Sequence, residues 1–365
     1  MINVTKTHLP PLSKFQDYVE QIFNSGWLTN NGVLLQTLEQ RLAEILDVPY
    51  ILLVSNGTLA LQVAYKLLNL KGEVITTPFS FVATTSSLVW ESLMPRFVDI
   101  DSDTLNIDPY RVEKELEVNR AISGIVATHV FGNPCDVEFL DFISKRYNIP
   151  VIYDAAHAFN VKVCDQSVLN FGDISVLSFH STKTFHSIEG GALIFKSKKA
   201  YDQAKQMINF GITSETTVDS LGINCKMNEF QAAMGLCMLD EMPLITYERK
   251  VRFDRYNDYL KDVAGIRFPK WSMKGIGNYS YYPVIFNTEV ELLHTINNLI
   301  SHDIKPRRYF YPSLNSLPYL HKRQSMPISE DISKRIACIP LSTALLKEDQ
   351  IRIVNIIKDS LAVIK

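Results

Sequence analysis

A lysine in this chain is placed where an amine could meet a carbonyl group. Lys183 follows a short apolar stretch, Ile174 to Phe179, in a turn rich in Ser, Thr and His that Gly190 and Gly191 close. An amine held among polar neighbours can form a Schiff base with an aldehyde. Taken alone, a lysine in such a turn is more often an ordinary loop residue, so a second marker is needed.

Asp154 is that second marker. It ends an apolar stretch, Val151 to Tyr153, that is typical of a buried strand. A carboxylate there could pair with a protonated pyridine nitrogen, as the aldehyde cofactor pyridoxal 5′-phosphate (PLP) requires. An aspartate at the end of a strand can also simply cap the next helix. The combination of Asp154 with Lys183 favours a PLP site.

A phosphate-binding turn is the third feature. Residues 55–58 (Ser-Asn-Gly-Thr) lie between a predicted strand, Ile51 to Val54, and a helical pattern from Leu59 to Leu68. Backbone N–H groups at the start of a helix attract phosphate. Gly57 permits a close approach and Thr58 adds a hydroxyl, although the fragment alone is more typical of a plain helix N-cap.

Aromatic and histidine side chains near these turns are further candidates for contacts with the cofactor. Phe81, after another predicted strand, could stack on a pyridine ring, or it could belong to the core. His157 could hydrogen-bond a ring hydroxyl, or it could be a satisfied buried histidine. His129 and Cys135 do not have metal-ligand spacing, and we assign no metal site.

Apolar strands that alternate with helices indicate how these residues are positioned. Such alternation predicts a mainly parallel sheet covered on both faces, with the ligand beyond the carboxyl ends of the strands. The lysine turn, Asp154 and the phosphate turn all follow strands, so we expect them to share one site. Helices are predicted at 34–46 and Val137–Arg146, and further strands at Val74–Thr77, Arg96–Ile100, Ile125–Val130, Ser175–Phe179 and Ala192–Phe195.

The chain changes character after about residue 240. Tyrosines and prolines cluster at 279–283 and 307–312, and amphipathic helices are predicted at 289–300 and 347–360. We therefore predict a large α/β domain over residues 1–240 and a smaller C-terminal α+β domain over residues 241–365.

Composition excludes several classes of protein. With 46% hydrophobic and 21% charged residues in 365, the chain is typical of a globular protein. A net charge of −2 gives no reason to expect nucleic acid or an anionic membrane as a partner. Five scattered cysteines without a CxxC pair fit a reducing compartment. The N-terminus lacks the apolar run of a signal peptide, so we expect a cytoplasmic protein without a membrane span.

The motifs and their order resemble the DegT-type sugar-nucleotide aminotransferases, which are fold-type I PLP enzymes. The resemblance covers nearly the whole chain. It rests on SNGT at 55–58, TPFSF at 77–81, DAAHA at 154–158, SFHSTK at 178–183 followed by EGG at 189–191, and GINCKMNE at 222–229.

The resemblance implies a role for each motif residue. Lys183 would carry the Schiff base to PLP, and Asp154 would pair with the pyridine nitrogen. His157 would lie near the ring hydroxyl and Phe81 would stack on the ring. Family members with histidine in place of the lysine are dehydratases, so Lys183 favours amino transfer. The phosphate would be held by Gly57, Thr58, Ser178 and, from the other subunit of a homodimer, Asn224.

The resemblance also implies a substrate class. Segments 27–32, 129–136, 278–283 and 307–312 resemble members that form dTDP-4-amino-4,6-dideoxy-D-glucose (viosamine) from dTDP-4-keto-6-deoxy-D-glucose, with L-glutamate as amino donor, for cell-surface polysaccharide such as O-antigen. Candidate contacts to the sugar nucleotide are Arg307, Arg308, Tyr309 and Tyr311, since arginine suits paired phosphates; each of them could instead pack the small domain.

Several alternatives stay open at this point. The substrate could be a 3-keto sugar or a UDP- or GDP-linked sugar, and the chain could bind PLP or a sugar nucleotide without turnover. Asn224 could cap the helix that begins near Asn228 rather than reach a partner's cofactor.

Overall fold

The computed structural model describes residues 1–272 and 275–364. A seven-stranded sheet forms its centre, in the order β2-β10-β9-β6-β5-β3-β4, and every neighbouring pair is parallel except those made by β10. The predicted mainly parallel α/β fold is thereby confirmed. The strands are β1 (Ile2–Asn3), β2 (Tyr50–Val54), β3 (Glu73–Thr76), β4 (Met94–Phe97), β5 (Ile122–Thr128), β6 (Val151–Asp154), β7 (Lys162–Val163), β8 (Gln166–Ser167), β9 (Ile174–Ser178), β10 (Gly191–Phe195), β11 (Ile212–Ser214), β12 (Thr217–Val218), β13 (Ile266–Arg267), β14 (Gly275–Ile276), β15 (Tyr282–Phe286), β16 (Ile304–Lys305) and β17 (Ile336–Ile339).

Helices cover both faces of the central sheet. Successive side chains of β6 alternate between two cores: Val151 and Tyr153 pack in one, and Ile152 packs in the other. This alternation explains why the strands read as continuous apolar runs. The helices are α1 (Leu12–Ser25), α2 (Val33–Leu46), α3 (Gly57–Leu67), α4 (Val82–Trp90), α5 (Pro109–Val118), α6 (Val137–Tyr147), α7 (Lys198–Met207), α8 (Glu229–Leu260), α9 (Glu289–Ser301), α10 (Pro327–Arg335) and α11 (Lys347–Ile364).

Helix starts follow local capping chemistry. The start of α2 has no capping side chain of its own; the buried Glu229 carboxylate accepts instead from the N–H groups of Leu34 and Leu35. At the start of α8, Asn228 and Gln231 form a reciprocal capping box. Glu229 therefore ties the first residues of α8 to the first turn of α2.

The C-terminal part has its own core. Strands β13, β15 and β17 form a three-stranded sheet, and α9 and α11 match the two predicted amphipathic helices. The domain boundary predicted at residue 240 falls inside the continuous helix α8, and the division at that residue stays a prediction. Strand β1 pairs in parallel with β16, so the N-terminal residues join the C-terminal part.

No helix in the described ranges combines the length and the apolar character that a membrane crossing requires.

Candidate active site

The carboxyl ends of the central strands enclose a cavity of about 770 Å³. Asp154 is the last residue of β6 and Ser178 the last of β9, while the turn after β2 leads into α3 at Gly57. Nine of the residues singled out from the sequence line it together: Gly57, Thr58, Phe81, Asp154, His157, Ser178, Lys183, Arg307 and Tyr309.

Lys183 presents its amine to this cavity. Its backbone N–H donates to the carbonyl of His180 at 2.8 Å, which fixes the turn. Within the described part of the chain its Nζ has no hydrogen bond or ion pair. Burial lowers the pKa of Lys183 to about 8, an effect that Asp154 opposes and Arg307 reinforces. A free amine with such a pKa can exchange protons near neutral pH.

Asp154 is buried and hydrogen-bonded through both carboxylate oxygens. Oδ2 accepts from Thr84 Oγ1 at 2.7 Å and Oδ1 accepts from the Ala156 N–H at 3.1 Å. Burial raises the pKa of Asp154 above its ordinary value, while the two hydrogen bonds and the nearby Lys183 act in the opposite direction. The carboxylate is thus fixed in place rather than solvated.

His157 lies against aromatic rings in the wall of the cavity. Its ring stacks on Phe310 with centroids 5.8 Å apart and meets the edge of Tyr281 at 4.9 Å. Burial, with a smaller contribution from Lys183, holds the pKa of His157 well below its usual range, so the imidazole is neutral. Its buried Nδ1 lacks a hydrogen-bond partner within the described residues. A polar ligand group would satisfy that nitrogen.

A turn of the C-terminal part, residues 278–280, forms hydrogen bonds with the backbone carbonyl of His157. The His157 carbonyl accepts from Asn278 Nδ2 at 2.9 Å and from Ser280 Oγ at 3.2 Å. The buried Arg249 donates to the carbonyls of Tyr279 and Ser280 and so fixes the turn itself. The turn therefore sets the position of the cavity wall.

The start of α3 presents free backbone N–H groups beside the cavity. Asn56 is the N-cap, and its side chain accepts from the Leu59 N–H at 2.9 Å. The N–H groups of Gly57 and Thr58 therefore begin a helix in which the first donors have no intrahelical partner. A Cβ on Gly57 would lie 3.1 Å from Cβ of Ser178, so glycine keeps the two segments in close contact. This geometry is compatible with both interpretations of the turn, a plain helix N-cap and a phosphate-binding site.

Phe81 also lines the cavity. It is the N-cap residue of α4 and is 46% exposed, although its neighbour Phe79 is fully buried. An exposed ring at the mouth of a cavity is available to stack on a ligand. Its stacking role stays a prediction.

The candidate substrate contacts divide into two groups. Arg307 and Tyr309 line the cavity, with the Arg307 guanidinium carbon 4.4 Å from the centre of the Tyr309 ring. Arg308 instead forms an ion pair with Glu289 at 2.8 Å and covers the ring of Tyr311. Arg308 and Tyr311 are not among the residues that line the cavity, whereas their neighbour Phe310 is. Their contact with substrate stays a prediction.

Asn224 lies away from the cavity of its own chain. It is exposed and its backbone bridges to Asn209. The side chain that caps α8 belongs to Asn228, so the interpretation of Asn224 as that cap is wrong.

The sequence did not single out several residues of the site. Thr84 reaches Asp154 from the first turn of α4, and nothing in the sequence pairs it with that distant carboxylate. Tyr281 and Phe310 belong to the tyrosine-rich segments noted above, but nothing in those segments indicates which ring faces the cavity.

Comparison with known proteins agrees with this geometry. Residues 12–358 match the DegT/DnrJ/EryC1/StrS aminotransferase family, and the chain belongs to this family. It is 42% identical to a dTDP-4-amino-4,6-dideoxy-D-glucose transaminase of Shigella dysenteriae over 363 residues, which is 98% of each chain. A protein of the same name from Escherichia coli is 36% identical over 98% of each chain.

A solved structure gives the same result for the fold. The crystal structure of DesI in the presence of its TDP-sugar product superposes with a TM-score of 0.92, at 28% identity, over 98% of this chain and 92% of that one. The family and the fold together make the protein an aminotransferase.

Proposed function

We propose that this protein is a PLP-dependent transaminase that moves the amino group of L-glutamate to the keto carbon of a nucleotide-linked 4-keto-6-deoxy sugar. The most direct assignment is conversion of dTDP-4-keto-6-deoxy-D-glucose to dTDP-4-amino-4,6-dideoxy-D-glucose, for cell-surface polysaccharide such as O-antigen. The observation that carries the proposal is the presence of Lys183 and Asp154 on one cavity in a chain that matches transaminases of this name over 98% of its length.

The residues present fit PLP. The hydrogen-bonded Asp154 carboxylate suits a protonated pyridine nitrogen, and the partnerless Nδ1 of His157 suits a ring hydroxyl. Gly57 leaves a cradle beside Ser178 that a Cβ would fill. When bound, PLP supplies an electron sink and carries the amino group between the two substrates.

Lys183 is the proton carrier in this proposal. Its Nζ would take the proton from the Cα of glutamate, and it would later deliver a proton to the sugar carbon that receives the amino group. An amine with a pKa of about 8 is effective in both directions near neutral pH. Asp154 keeps a negative charge against the ring nitrogen, and Phe81 and His157 orient the ring from the sides.

Arg307 supplies positive charge for both substrates. A guanidinium binds carboxylates and phosphates through paired hydrogen bonds, so it suits the carboxylate of glutamate and the diphosphate of a sugar nucleotide. Its position beside Tyr309 and on the same cavity as Lys183 supports this role.

A homodimer completes the site in this proposal. Asn224 is exposed and lies outside its own cavity, which supports a role at the partner's phosphate. Each subunit would then contribute to two sites.

The test is a pair of assays on the purified protein loaded with PLP. Glutamate alone should convert the cofactor from its aldehyde to its amine form, seen as loss of the visible absorbance band. A panel of dTDP-, UDP- and GDP-linked 3-keto and 4-keto sugars then identifies the acceptor, with the product structure determined by NMR. Absence of the glutamate conversion indicates a binding protein, and a 3-amino sugar product indicates a different transaminase. Lys183→Ala is the matched control for both assays.

A further inference from the structure

A chain of three buried hydroxyl groups ends on Asp154. Thr84 Oγ1 donates to Asp154 Oδ2 at 2.7 Å, Ser80 Oγ lies 2.8 Å from Thr84 Oγ1, and Thr128 Oγ1 donates to Ser80 Oγ at 3.2 Å. None of the four residues is more than 6% exposed. We propose that this hydroxyl relay (Thr128, Ser80 and Thr84) keeps Asp154 ionised and oriented, with Thr84 as a positioning residue for the reaction. The inference rests on the proposed function, because a pyridine cofactor is what requires a charged carboxylate there.

The direction of the hydrogen bonds follows from proton counting. An ionised carboxylate only accepts, so the single proton of Thr84 points to Asp154. Thr84 must then accept from Ser80, and Ser80 must accept from Thr128. All three protons point toward the carboxylate, an arrangement in which each bond polarises the next and stabilises the negative charge.

The relay depends on the order of the central strands. Ser80 lies in the turn after β3, Thr128 is the last residue of β5, and Asp154 is the last residue of β6. Strands β3, β5 and β6 are neighbours in the sheet, so their carboxyl ends bring the hydroxyls together. Thr84 joins them from α4, one turn after Ser80.

The relay opposes the effect of burial on the pKa of Asp154. Burial raises the pKa of Asp154, while Thr84, the Ala156 N–H and Lys183 lower it. The phenol of Tyr65, on α3, also faces the carboxylate, and the neutral His157 lines the same cavity. Loss of the Thr84 hydroxyl removes a stabilising hydrogen bond to the charged form, so the pKa of Asp154 rises and the neutral form begins to populate at a higher pH.

The next residue along the chain is a matched control. Thr85 is fully buried on the same helix, and its Oγ1 makes no hydrogen bond within the described ranges. Thr84→Val and Thr85→Val therefore make the same change in a buried threonine, but only the first breaks the relay. Thr84→Ser keeps the hydroxyl and serves as the conservative rescue.

Two measurements test the relay. The dissociation constant of PLP, from absorbance titration of cofactor-stripped enzyme, should rise about tenfold in Thr84→Val, because a hydrogen bond to a charged group contributes at least that factor. The acid limb of the kcat profile should move up by about one pH unit in the same variant. Thr84→Ser and Thr85→Val should stay within about twofold of wild type in the first measurement, and unshifted in the second.

Equal losses in Thr84→Val and Thr85→Val, or no pH shift in Thr84→Val, would overturn the relay and leave only packing. If Thr84→Val does not fold, Ser80→Ala decides: a smaller shift in the same direction supports the relay, and none refutes it. Failure of the proposed function would give a different experimental result from failure of the relay. In that case the wild-type protein would not bind PLP, or Asp154→Asn would turn over at the wild-type rate.

Discussion

Burial of the charged Lys183 amine lowers the stability of the folded protein. Its pKa falls from 10.5 to about 8 on folding, chiefly through burial. Below pH 8 the amine is protonated in both states, so the folded state bears the full cost; between pH 8 and 10.5 the folded protein binds fewer protons, so its stability rises with pH. The residue that does the chemistry is therefore expected to lower the stability of the cofactor-free enzyme.

We predict that Lys183→Met stabilises the cofactor-free protein at pH 7 while abolishing turnover. The gain in the free energy of unfolding should be about 1 kcal/mol, less than the whole pKa shift because the side chain is partly exposed to solvent in the cavity. Urea unfolding at pH 7 and pH 10 measures it, and the gain should shrink at the higher pH. Lys71→Met, at an exposed site, is the control that should show no such pH dependence. A variant less stable than wild type at pH 7 would contradict the argument.

We predict that Asp154→Asn still binds PLP but loses a factor on the order of 10² or more in kcat. An amide cannot stabilise a protonated pyridine, whereas the contacts around Gly57 and Phe81 persist. Steady-state kinetics with glutamate, together with a PLP titration, separate the two effects. Near-normal turnover would argue against a PLP mechanism.

For individual residues, the sequence predicted the site where a chemically reactive residue type follows an apolar strand. Lys183 and Asp154 follow apolar strands, and parallel strands present their carboxyl ends together, so their shared cavity was predictable. The division between Arg307 and Arg308 was not, because it depends on the ion pair that Glu289 makes across the C-terminal part. Thr84 was missed because a threonine in a helix carries no signal for its distant partner.

Among the elements, β10 makes a close backbone contact with the turn that precedes α3. Gly191 pairs with Val54 on one side and Ser178 on the other. A Cβ on Gly191 would lie 2.7 Å from both the carbonyl carbon of Asn56 and the nitrogen of Gly57. Backbone atoms cannot move aside as a flexible side chain can, so any side chain there displaces the phosphate turn.

We predict that Gly191→Ala lowers stability by about 1–3 kcal/mol and weakens PLP binding about tenfold. Thermal unfolding and a PLP titration measure the two losses. Gly277→Ala is the control, because a Cβ there would meet no atom within 4 Å, and its stability should stay within about 0.5 kcal/mol of wild type. Equal behaviour of the two variants would show that β10 does not set the turn.

Elements with a repeating apolar pattern were predictable, and the shortest strands were not. The amphipathic pattern of residues 34–46 gives α2 almost to the residue, because a buried stripe repeats along the helix. Strands β7, β8, β11 and β12 have two or three residues each, too few for a pattern, and pairing with distant or adjacent segments defines them.

In the whole molecule, the exposed position of Asn224 leads to a prediction about assembly. Mixing Lys183→Ala subunits with Asn224→Ala subunits, under conditions that allow exchange, gives heterodimers with one doubly damaged site and one intact site. Under the shared-site proposal a heterodimer recovers about half of the wild-type activity. Activity assays paired with native mass spectrometry measure this. Heterodimers that form without recovered activity would place the action of Asn224 within its own chain.

The pairing of β1 with β16 also constrains when this protein can finish folding in the cell. Residues 2–3 leave the ribosome about 300 residues before their partners at 304–305, which at about 5–20 residues per second is a delay of roughly 15–60 s. The carbonyl of Val4 likewise accepts a hydrogen bond from the N–H of Leu341, a residue that is translated much later. Because the segment with Arg307 follows β16 directly, the part of the cavity that this segment lines is assembled only after about 300 residues have been translated.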